Sequence, residues 1–363
     1  MTAAATTACG SPAPAPSRPP PTRQPATRQP ASGPPAAVDR LTLAQQVGQT
    51  VILSFAGRDE PAYVARILRA RRAAGVILTP ENIASGAQVR ALTRSLERSA
   101  GGRALVGADQ EGGATRALGF AAASAAQPEQ AGPAAAGAAA RAGGRDLRRY
   151  GLNLDFAPVA DVAAGAGSIM RGRAYPGGPP EVAASVAAAV AGYTAAGVAA
   201  TAKHFPGLGA AGANTDSSPV TVPTSVAGLR HGDLEPFRAA ISAGVPLIMT
   251  SHAVYPAVDP GRIASQSPRV IGGLLRGGLG FRGVVITDSI EAAAVRRRSS
   301  VAVAAVRSIA AGADIVLMTG PGSYHLIYPR LLARARRSPG FRRRVREAAA
   351  RVLALERRLG LPA

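Results

Sequence analysis

Lys203 is the only lysine among the 42 basic residues of this 363-residue chain, and His204 follows it directly. A compact ammonium on a flexible stem can direct three N–H donors at sugar hydroxyls or a carboxylate, whereas a planar guanidinium prefers forked acceptors. The apolar run at 197–201 predicts a strand, and the Pro-Gly-Leu-Gly sequence at 206–209 predicts a turn. We therefore expect this pair at the carboxyl end of a buried strand, where α/β barrels carry their chemistry.

Four more acidic or histidine side chains follow directly from apolar runs, in a chain with only 21 acidic residues and four histidines. They are Asp109, Asp161, His252 and Asp288. Arg116 lies just beyond the first of them, and Arg173 lies in the loop after the second. A charge without partners inside a protein is costly. We therefore interpret these residues as parts of one site rather than as separate helix caps or ion pairs.

Eight short apolar runs bounded by turn residues supply the elements that must position these side chains. They are 49–55, 75–79, 104–109, 154–161, 198–204, 246–252, 283–288 and 314–319. Helical stretches are predicted at 61–73, 85–99, 137–150, 180–195, 226–243, 267–278 and 299–311, with further helix from 324 to 359. Strands that are apolar along their whole length and alternate with helices indicate a parallel sheet covered on both faces. Eight such units predict an α/β fold, a closed (β/α)₈ barrel.

The first 37 residues differ in composition from the rest, with dense Pro, three Arg and no acid. Such a segment buries too little apolar surface to offset its ordering entropy. We predict a disordered Pro-rich linker at 1–37 and a single barrel domain at 38–363.

Cys9 is the single cysteine, so no disulfide forms within the chain. Small residues before a cysteine, followed by a tether, resemble the end of a bacterial lipoprotein signal peptide, where the cysteine is lipidated. The eight residues before Cys9 supply neither the basic nor the apolar region of such a signal. Two interpretations stay open. If the true start lies upstream, Cys9 is lipidated and the protein is extracytoplasmic, at the cell envelope; otherwise Cys9 is an exposed thiol and the protein is cytoplasmic.

The run Val182–Ala202 holds 21 uncharged residues, a length that would cross a bilayer. It is mostly Ala, interrupted by Gly, Ser and Thr. We expect a buried helix that runs through Tyr193 into a strand, rather than a membrane span.

The motifs at these strand ends resemble glycoside hydrolase family 3, and within it the single-domain β-N-acetylhexosaminidases. The matching stretches are Asp109–Gly113 with Arg116, Phe156–Asp161, Gly172–Tyr175, Lys203–Gly207, His252 with Tyr255–Asp259, Leu279–Asp288 and Ala311–Asp314. They occur in family order and extend over nearly the whole of the chain after the linker.

The resemblance implies that Asp288 is the catalytic nucleophile of a retaining hydrolase and that the other matching polar side chains bind the sugar. These are Asp109, Arg173, Lys203 and His204, with Arg116 nearby and His252 in the same set. A retaining glycosidase needs a carboxylate beneath the anomeric carbon and a second group as general acid and base. Asp288, released from an apolar strand onto a loop, suits the first role.

The second catalytic group is where this chain departs from the family. The resembling enzymes carry Asp-Ser-His in the loop after the fifth strand, whereas this chain has Asp216-Ser217-Ser218. A serine hydroxyl is too weak an acid to protonate a leaving oxygen, so we assign proton transfer to Asp216, with a pKa raised by burial. His231, in a polar turn, suits the role less well.

The net charge of +21 raises the alternative of a nucleic-acid-binding protein, and from Gly322 onward eleven Arg face only two Glu. Few aromatic residues and no recognisable binding motif argue against it. The leading hypothesis is a monomeric hydrolase that needs no metal or cofactor and acts on terminal β-N-acetylglucosaminides of cell-wall peptidoglycan fragments. The alternatives are a weakly active or non-catalytic glycan-binding protein, a β-glucosidase-like specificity, and a lyase or aldolase that uses Lys203 as a Schiff base.

Overall fold

Eight parallel strands, each buried along its whole length, form the centre of the computed structural model, which describes residues 1–5 and 37–362. The strands are β1 (Val51–Leu53), β2 (Gly75–Ile77), β3 (Leu105–Ala108), β4 (Leu154–Asp155), β5 (Ala199–Phe205), β6 (Leu247–Thr250), β7 (Val284–Thr287) and β8 (Val316–Leu317). Seven of them lie inside a predicted apolar run, and β5 overlaps the run 198–204 but ends one residue later, at Phe205. The other seven predicted strands are longer than the observed ones because the sequence pattern does not separate the paired core of a strand from the apolar residues that flank it.

The strand order is β7-β6-β5-β4-β3-β2-β1-β8, so neighbours in sequence are neighbours in the sheet. The two edge strands of the sheet, β7 and β8, meet at Ile315, directly before β8. The Thr287 N–H donates to the Ile315 carbonyl at 3.0 Å, and Ile286 forms an isolated parallel β-bridge with Ile315. The predicted (β/α)₈ barrel is confirmed. Its interior is filled by large side chains from several strands, including Ile52, Leu105, Leu154, Met249 and Ile286.

Eleven α-helices lie within the described residues. They are α1 (Leu43–Gly48), α2 (Ala62–Arg69), α3 (Gly86–Ala100), α4 (Gly132–Arg149), α5 (Pro179–Ala195), α6 (Val226–Gly228), α7 (Glu235–Ser242), α8 (Ala293–Arg296), α9 (Val301–Ala311), α10 (Ser323–Arg337) and α11 (Pro339–Arg358). The uncharged run Val182–Ala202 forms most of α5 and the first part of β5, as predicted. Gly192 of α5 lies so close to α4 that an added Cβ would sit 2.5 Å from the Gly137 carbonyl oxygen.

Three helical predictions needed refinement. The predicted helix 226–243 is divided into α6, a π-helical turn at Leu229–Asp233, and α7. The predicted helix 267–278 is π-helical at Arg269–Gly278. The predicted helix 324–359 breaks at Ser338, whose backbone is extended at φ −128° and ψ 108° and whose hydroxyl accepts from the Phe341 N–H. A serine cap followed by Pro339 ends one helix and begins the next.

Part of the arginine-rich C-terminal charge is used to hold α11 against the barrel. Asp314, fully buried, pairs with Arg276 at 2.6 Å, with Arg351 at 3.1 Å and with Arg344. Arg346 forms a two-bond contact with Asp39. The arginines around Asp314 therefore hold α11 against the barrel, whereas Arg346 is 48% exposed in its pair with Asp39.

No helix in the described residues is long and apolar enough to cross a membrane. The predicted linker at 1–37 and the Cys9 assignment lie outside the described residues, apart from residues 1–5 and Ala37. The compact unit that carries the barrel spans Ala36–Ala363.

Candidate active site

A cavity of about 580 Å³ opens at the carboxyl ends of the strands, and six of the eight predicted site residues line it. They are Asp109, Arg173, Lys203, His204, Asp216 and Asp288. They reach the cavity from β5 and from the loops after β3, β4, β5 and β7, because parallel strands deliver all their carboxyl ends to one rim.

Lys203 is buried, with 3% of its side chain exposed, and its ammonium lies between two carboxylates. Its Nζ is 2.6 Å from Asp109 Oδ1 and 2.6 Å from Glu111 Oε1. Burial alone would lower the pKa of Lys203, but these two carboxylates outweigh it and raise that pKa above its ordinary value. The lone lysine is therefore a fixed, permanently charged donor rather than a free amine.

Glu111 is the residue that sequence reasoning missed. Its carboxylate binds two cations, accepting from Arg173 Nε at 2.9 Å and from Arg173 Nη2 at 2.6 Å in addition to Lys203. Burial alone would raise the pKa of Glu111, yet Lys203 and Arg173 lower it to about 2. The signal was present in the sequence, since Glu111 stands two residues after Asp109, where alternate residues of an extended segment share a face.

This four-charge cluster leaves polar groups directed at the cavity. Asp109 keeps 39% of its side chain exposed, and Arg173 keeps 27%. Glu111 itself is 2% exposed and acts through its two partners. An array of fixed anionic acceptors and cationic donors is suited to bind the hydroxyl groups of a sugar.

His204 is held by Asp161, which is fully buried at the end of the fourth predicted apolar run. Asp161 Oδ2 lies 2.8 Å from His204 Nδ1, and Asp161 also accepts from the backbone N–H of His204 and of Leu208. A carboxylate at Nδ1 places the ring proton there and leaves Nε2 as the free nitrogen of the neutral ring. His204 Nε2 has no protein partner among the described residues, so it is available to a ligand.

Asp288 follows β7, and one of its two oxygens is fixed. Its Oδ1 accepts the Ser289 N–H at 2.7 Å. Burial alone would raise the pKa of Asp288, but His204, His252, the Ser289 N–H and Lys203 together lower it. The carboxylate is therefore ionised near neutral pH, and its Oδ2 accepts no hydrogen bond from the part of the chain that the structure describes.

Asp216 lies on a loop that is pinned to α8. The Ala293 and Ala294 N–H groups donate to the Asp216 and Thr215 carbonyls, each at 3.0 Å, and the Asp216 N–H donates to Asn214 Oδ1 at 2.9 Å. Lost hydration and the negative charge of Asp288 raise the pKa of Asp216, although its side chain is open to solvent at the cavity mouth. Ser218 is not among the lining residues; its hydroxyl donates to the Asn214 carbonyl at 3.4 Å.

Two predicted residues do not line the cavity. The Arg116 guanidinium donates to the Gly113 carbonyl at 3.1 Å and the Ala121 carbonyl at 3.4 Å, so it closes its own loop, while the adjacent Thr115 lines the cavity. His252 is fully buried, with Nδ1 2.7 Å from Ser265 Oγ and Nε2 donating to the Ser289 carbonyl at 2.9 Å. It supports the segment that follows Asp288 from behind.

The described residues contain no group of three or more His, Cys, Asp or Glu side chains placed to hold a metal ion. The two carboxylates at the cavity, Asp288 and Asp216, have pKa values displaced in opposite directions. Such a displacement is the usual mark of a carboxylate pair in which one member is an acid and the other an ionised base or nucleophile.

Residues 42–355 match the model of the glycosyl hydrolase family 3 N-terminal domain. The chain is 38% identical over 282 residues to a protein named beta-hexosaminidase from Stenotrophomonas maltophilia. The matched region covers 75% of this chain and 83% of that protein. Among solved structures it is similar to a family 3 beta-N-acetylglucosaminidase from Paenibacillus, with 35% identity and a TM-score of 0.84 over 89% of this chain and 64% of that one. This chain therefore spans just under two thirds of the Paenibacillus protein.

A beta-N-acetylhexosaminidase from Beutenbergia cavernae matches at 33% identity and a TM-score of 0.81, over 87% of this chain and 98% of that chain. The fold, the order of the strand-end motifs and the family match agree. The chain belongs to glycosyl hydrolase family 3 and is an O-glycosyl hydrolase.

Proposed function

We propose that this protein is a retaining β-N-acetylhexosaminidase that removes terminal β-linked N-acetylglucosamine through a covalent intermediate on Asp288. The observation that carries the proposal is that Asp288 and Asp216 face one cavity with pKa values displaced apart, beside a rigid cluster of charged groups. The lowered pKa keeps Asp288 ionised as a nucleophile, and the raised pKa of Asp216 favours the protonated form that a general acid needs.

In the first step, Asp109, Arg173, Lys203 and His204 hold the hydroxyl groups of the terminal sugar. Asp288 Oδ2 attacks the anomeric carbon and forms an ester bond while the glycosidic C–O bond breaks. Asp216 gives its proton to the departing oxygen. The Ser289 N–H holds Oδ1 of Asp288, so Oδ2, which accepts no hydrogen bond from the described residues, is the attacking oxygen.

In the second step, a water molecule replaces the leaving group. Asp216, now ionised, takes one proton from that water as its oxygen attacks the anomeric carbon and the ester bond to Asp288 breaks. The product keeps the β configuration, and both carboxylates return to their starting states.

Asp216 is the group proposed for proton transfer because Ser218 supplies no titratable side chain there and does not reach the cavity. The main competing hypothesis is a glycan-binding protein with little or no turnover. Turnover distinguishes the two hypotheses, since only a glycan-binding protein is expected to bind the sugar without hydrolysing it.

The names of the similar proteins from Stenotrophomonas, Paenibacillus and Beutenbergia support an N-acetylated sugar, and fragments of peptidoglycan are the proposed natural source. The test is to compare 4-nitrophenyl β-N-acetylglucosaminide with the matching β-glucoside on the purified protein. We expect at least a hundredfold preference in kcat/KM for the acetamido sugar. Equal rates would favour a β-glucosidase-like specificity, and binding without release of nitrophenol would favour the glycan-binding alternative.

We further propose that the protein acts as a monomer at the cell envelope, attached through a lipid on Cys9. Cell fractionation of the native strain, with and without Cys9→Ser, tests the attachment. Loss of the protein from the membrane fraction only in the variant supports it, and an unchanged distribution contradicts it. Light scattering of the purified protein tests the monomer.

A further inference from the structure

A second cavity, also of about 580 Å³, lies outside the active site. It is formed by the second strand of the antiparallel hairpin Val254–Tyr255 and Asp259–Ile263, by the segment that follows this hairpin, by Arg298 between α8 and α9, and by α9 itself. None of its lining residues lines the cavity of Asp288. It is therefore a separate concave site.

Three arginines line this second cavity, Arg262, Arg298 and Arg307, and no acidic residue does so among the described residues. Arg298 and Arg307 form no ion pair or side-chain hydrogen bond with any described residue. Arg262 has only a distant partner, Asp259 at 3.7 Å, whose nearer contact is the Ser267 hydroxyl at 2.7 Å. Three like charges around one concavity repel one another, so an anion bound between them would relieve that repulsion.

The remaining wall is apolar and includes Ile263, Pro268 and Ala311. A cavity of this volume exceeds what a phosphate ion fills, so the ligand has room for an organic part against that wall. Guanidinium groups match the geometry of phosphate oxygens through paired N–H donors.

We propose that this cavity binds a small organic phosphomonoester, with Arg298 and Arg307 as the main contacts and Arg262 closing the rim. The site is independent of the hydrolytic reaction, since it shares no lining residue with the active site.

The test is isothermal titration of the purified protein with sn-glycerol 3-phosphate, and with inorganic phosphate in a parallel arm. We expect saturable binding to one site, with the organic phosphate binding more tightly than inorganic phosphate. The double variant Arg298→Ala/Arg307→Ala should weaken binding at least tenfold.

The matched control removes the same charge elsewhere. Arg94→Ala/Arg98→Ala changes two exposed arginines of α3 that have no ion-pair partner among the described residues, and it should leave binding within twofold. An equal loss in both double variants would mean that only net charge matters and would overturn the proposal. Binding of phosphatidylglycerol vesicles without any binding of glycerol phosphate would overturn it in favour of a membrane contact.

Asp288→Asn should bind glycerol phosphate as the unchanged protein does. That arm separates this proposal from the hydrolase assignment, since either can fail alone. Loss of phosphate binding in Asp288→Asn would place the ligand in the active site and contradict a separate cavity.

Discussion

Glu111→Gln should be strongly destabilising, although it changes no more than one atom of the side chain. Glu111 is 2% exposed and is the carboxylate shared by Lys203 and Arg173. Its pKa of about 2, against an ordinary value of 4.5, corresponds to about 3 kcal/mol of preference for the ionised form in the folded protein. Loss of one partner from a buried charge pair costs on the order of 3–5 kcal/mol in general. We expect a loss of about 3 kcal/mol in the free energy of unfolding.

The pH dependence gives a second measure of the same interaction. The folded-state pKa of Glu111 is lowered, so its stabilising contribution is present above the unfolded value of 4.5 and is lost as pH falls toward about 2. The difference in stability between the unchanged protein and Glu111→Gln should therefore be constant near neutral pH and shrink between pH 4.5 and 2. Urea titration followed by circular dichroism at several pH values measures it.

Glu347→Gln is the matched control, because Glu347 pairs with Arg344 at 3.2 Å but is 57% exposed. An exposed ion pair contributes at most about 1 kcal/mol. If Glu111→Gln cost no more than this control, the buried four-charge cluster would not stabilise the site as argued. A difference that persisted unchanged down to pH 2 would also refute the assigned cause.

Three further predictions concern the reaction. Lys203→Arg should weaken substrate binding at least tenfold in KM, because a guanidinium cannot fit between Asp109 and Glu111, each now 2.6 Å from Nζ; an unchanged KM and kcat would contradict this. Asp216→Ala should abolish turnover of disaccharides yet spare activated aryl glycosides. Because the raised pKa of Asp216 keeps this acid protonated until the pH passes that value, turnover of disaccharides by the unchanged protein should fall at high pH, whereas turnover of aryl glycosides should not fall in the same way. Ser218→His should raise turnover of disaccharides and add a pH dependence near about 6.5; no gain, with a silent Asp216→Ala, would favour the glycan-binding alternative.

The barrel could be predicted from sequence because its strands are buried on both faces, and this leaves uninterrupted apolar runs between turn residues. The residues that end those runs could also be found, since polar side chains there stand out from their apolar surroundings. Asp109, Lys203 and Asp288 are examples, and all three line one cavity.

What could not be predicted depends on side-chain direction and on contacts between distant parts of the chain. Glu111 stands beside Asp109 in sequence, but only the fold shows that it binds Arg173, 62 positions away. Arg116 turns back to its own loop carbonyls, and His252 is occupied on both ring nitrogens. The orientation of these two side chains cannot be inferred from the composition of the sequence or from the spacing of its residues.

The departures within the helices have a similar cause. The segment Arg269–Gly278 carries two Gly-Gly pairs, and its apolar periodicity does not distinguish an α-helix from a π-helix. The choice is made by packing against the rest of the barrel, which a local pattern does not contain.

The central claim, that Asp288 forms a glycosyl ester, is tested most directly by trapping that ester. The protein is incubated with a 5-fluoro N-acetylglucosaminyl fluoride, whose ring fluorine slows breakdown of the intermediate, and is then digested and mapped by mass spectrometry. The account predicts one added sugar on the peptide that contains Asp288 and none in Asp288→Asn. A sugar attached to any other residue, or turnover to the α anomer with no covalent adduct, would contradict it.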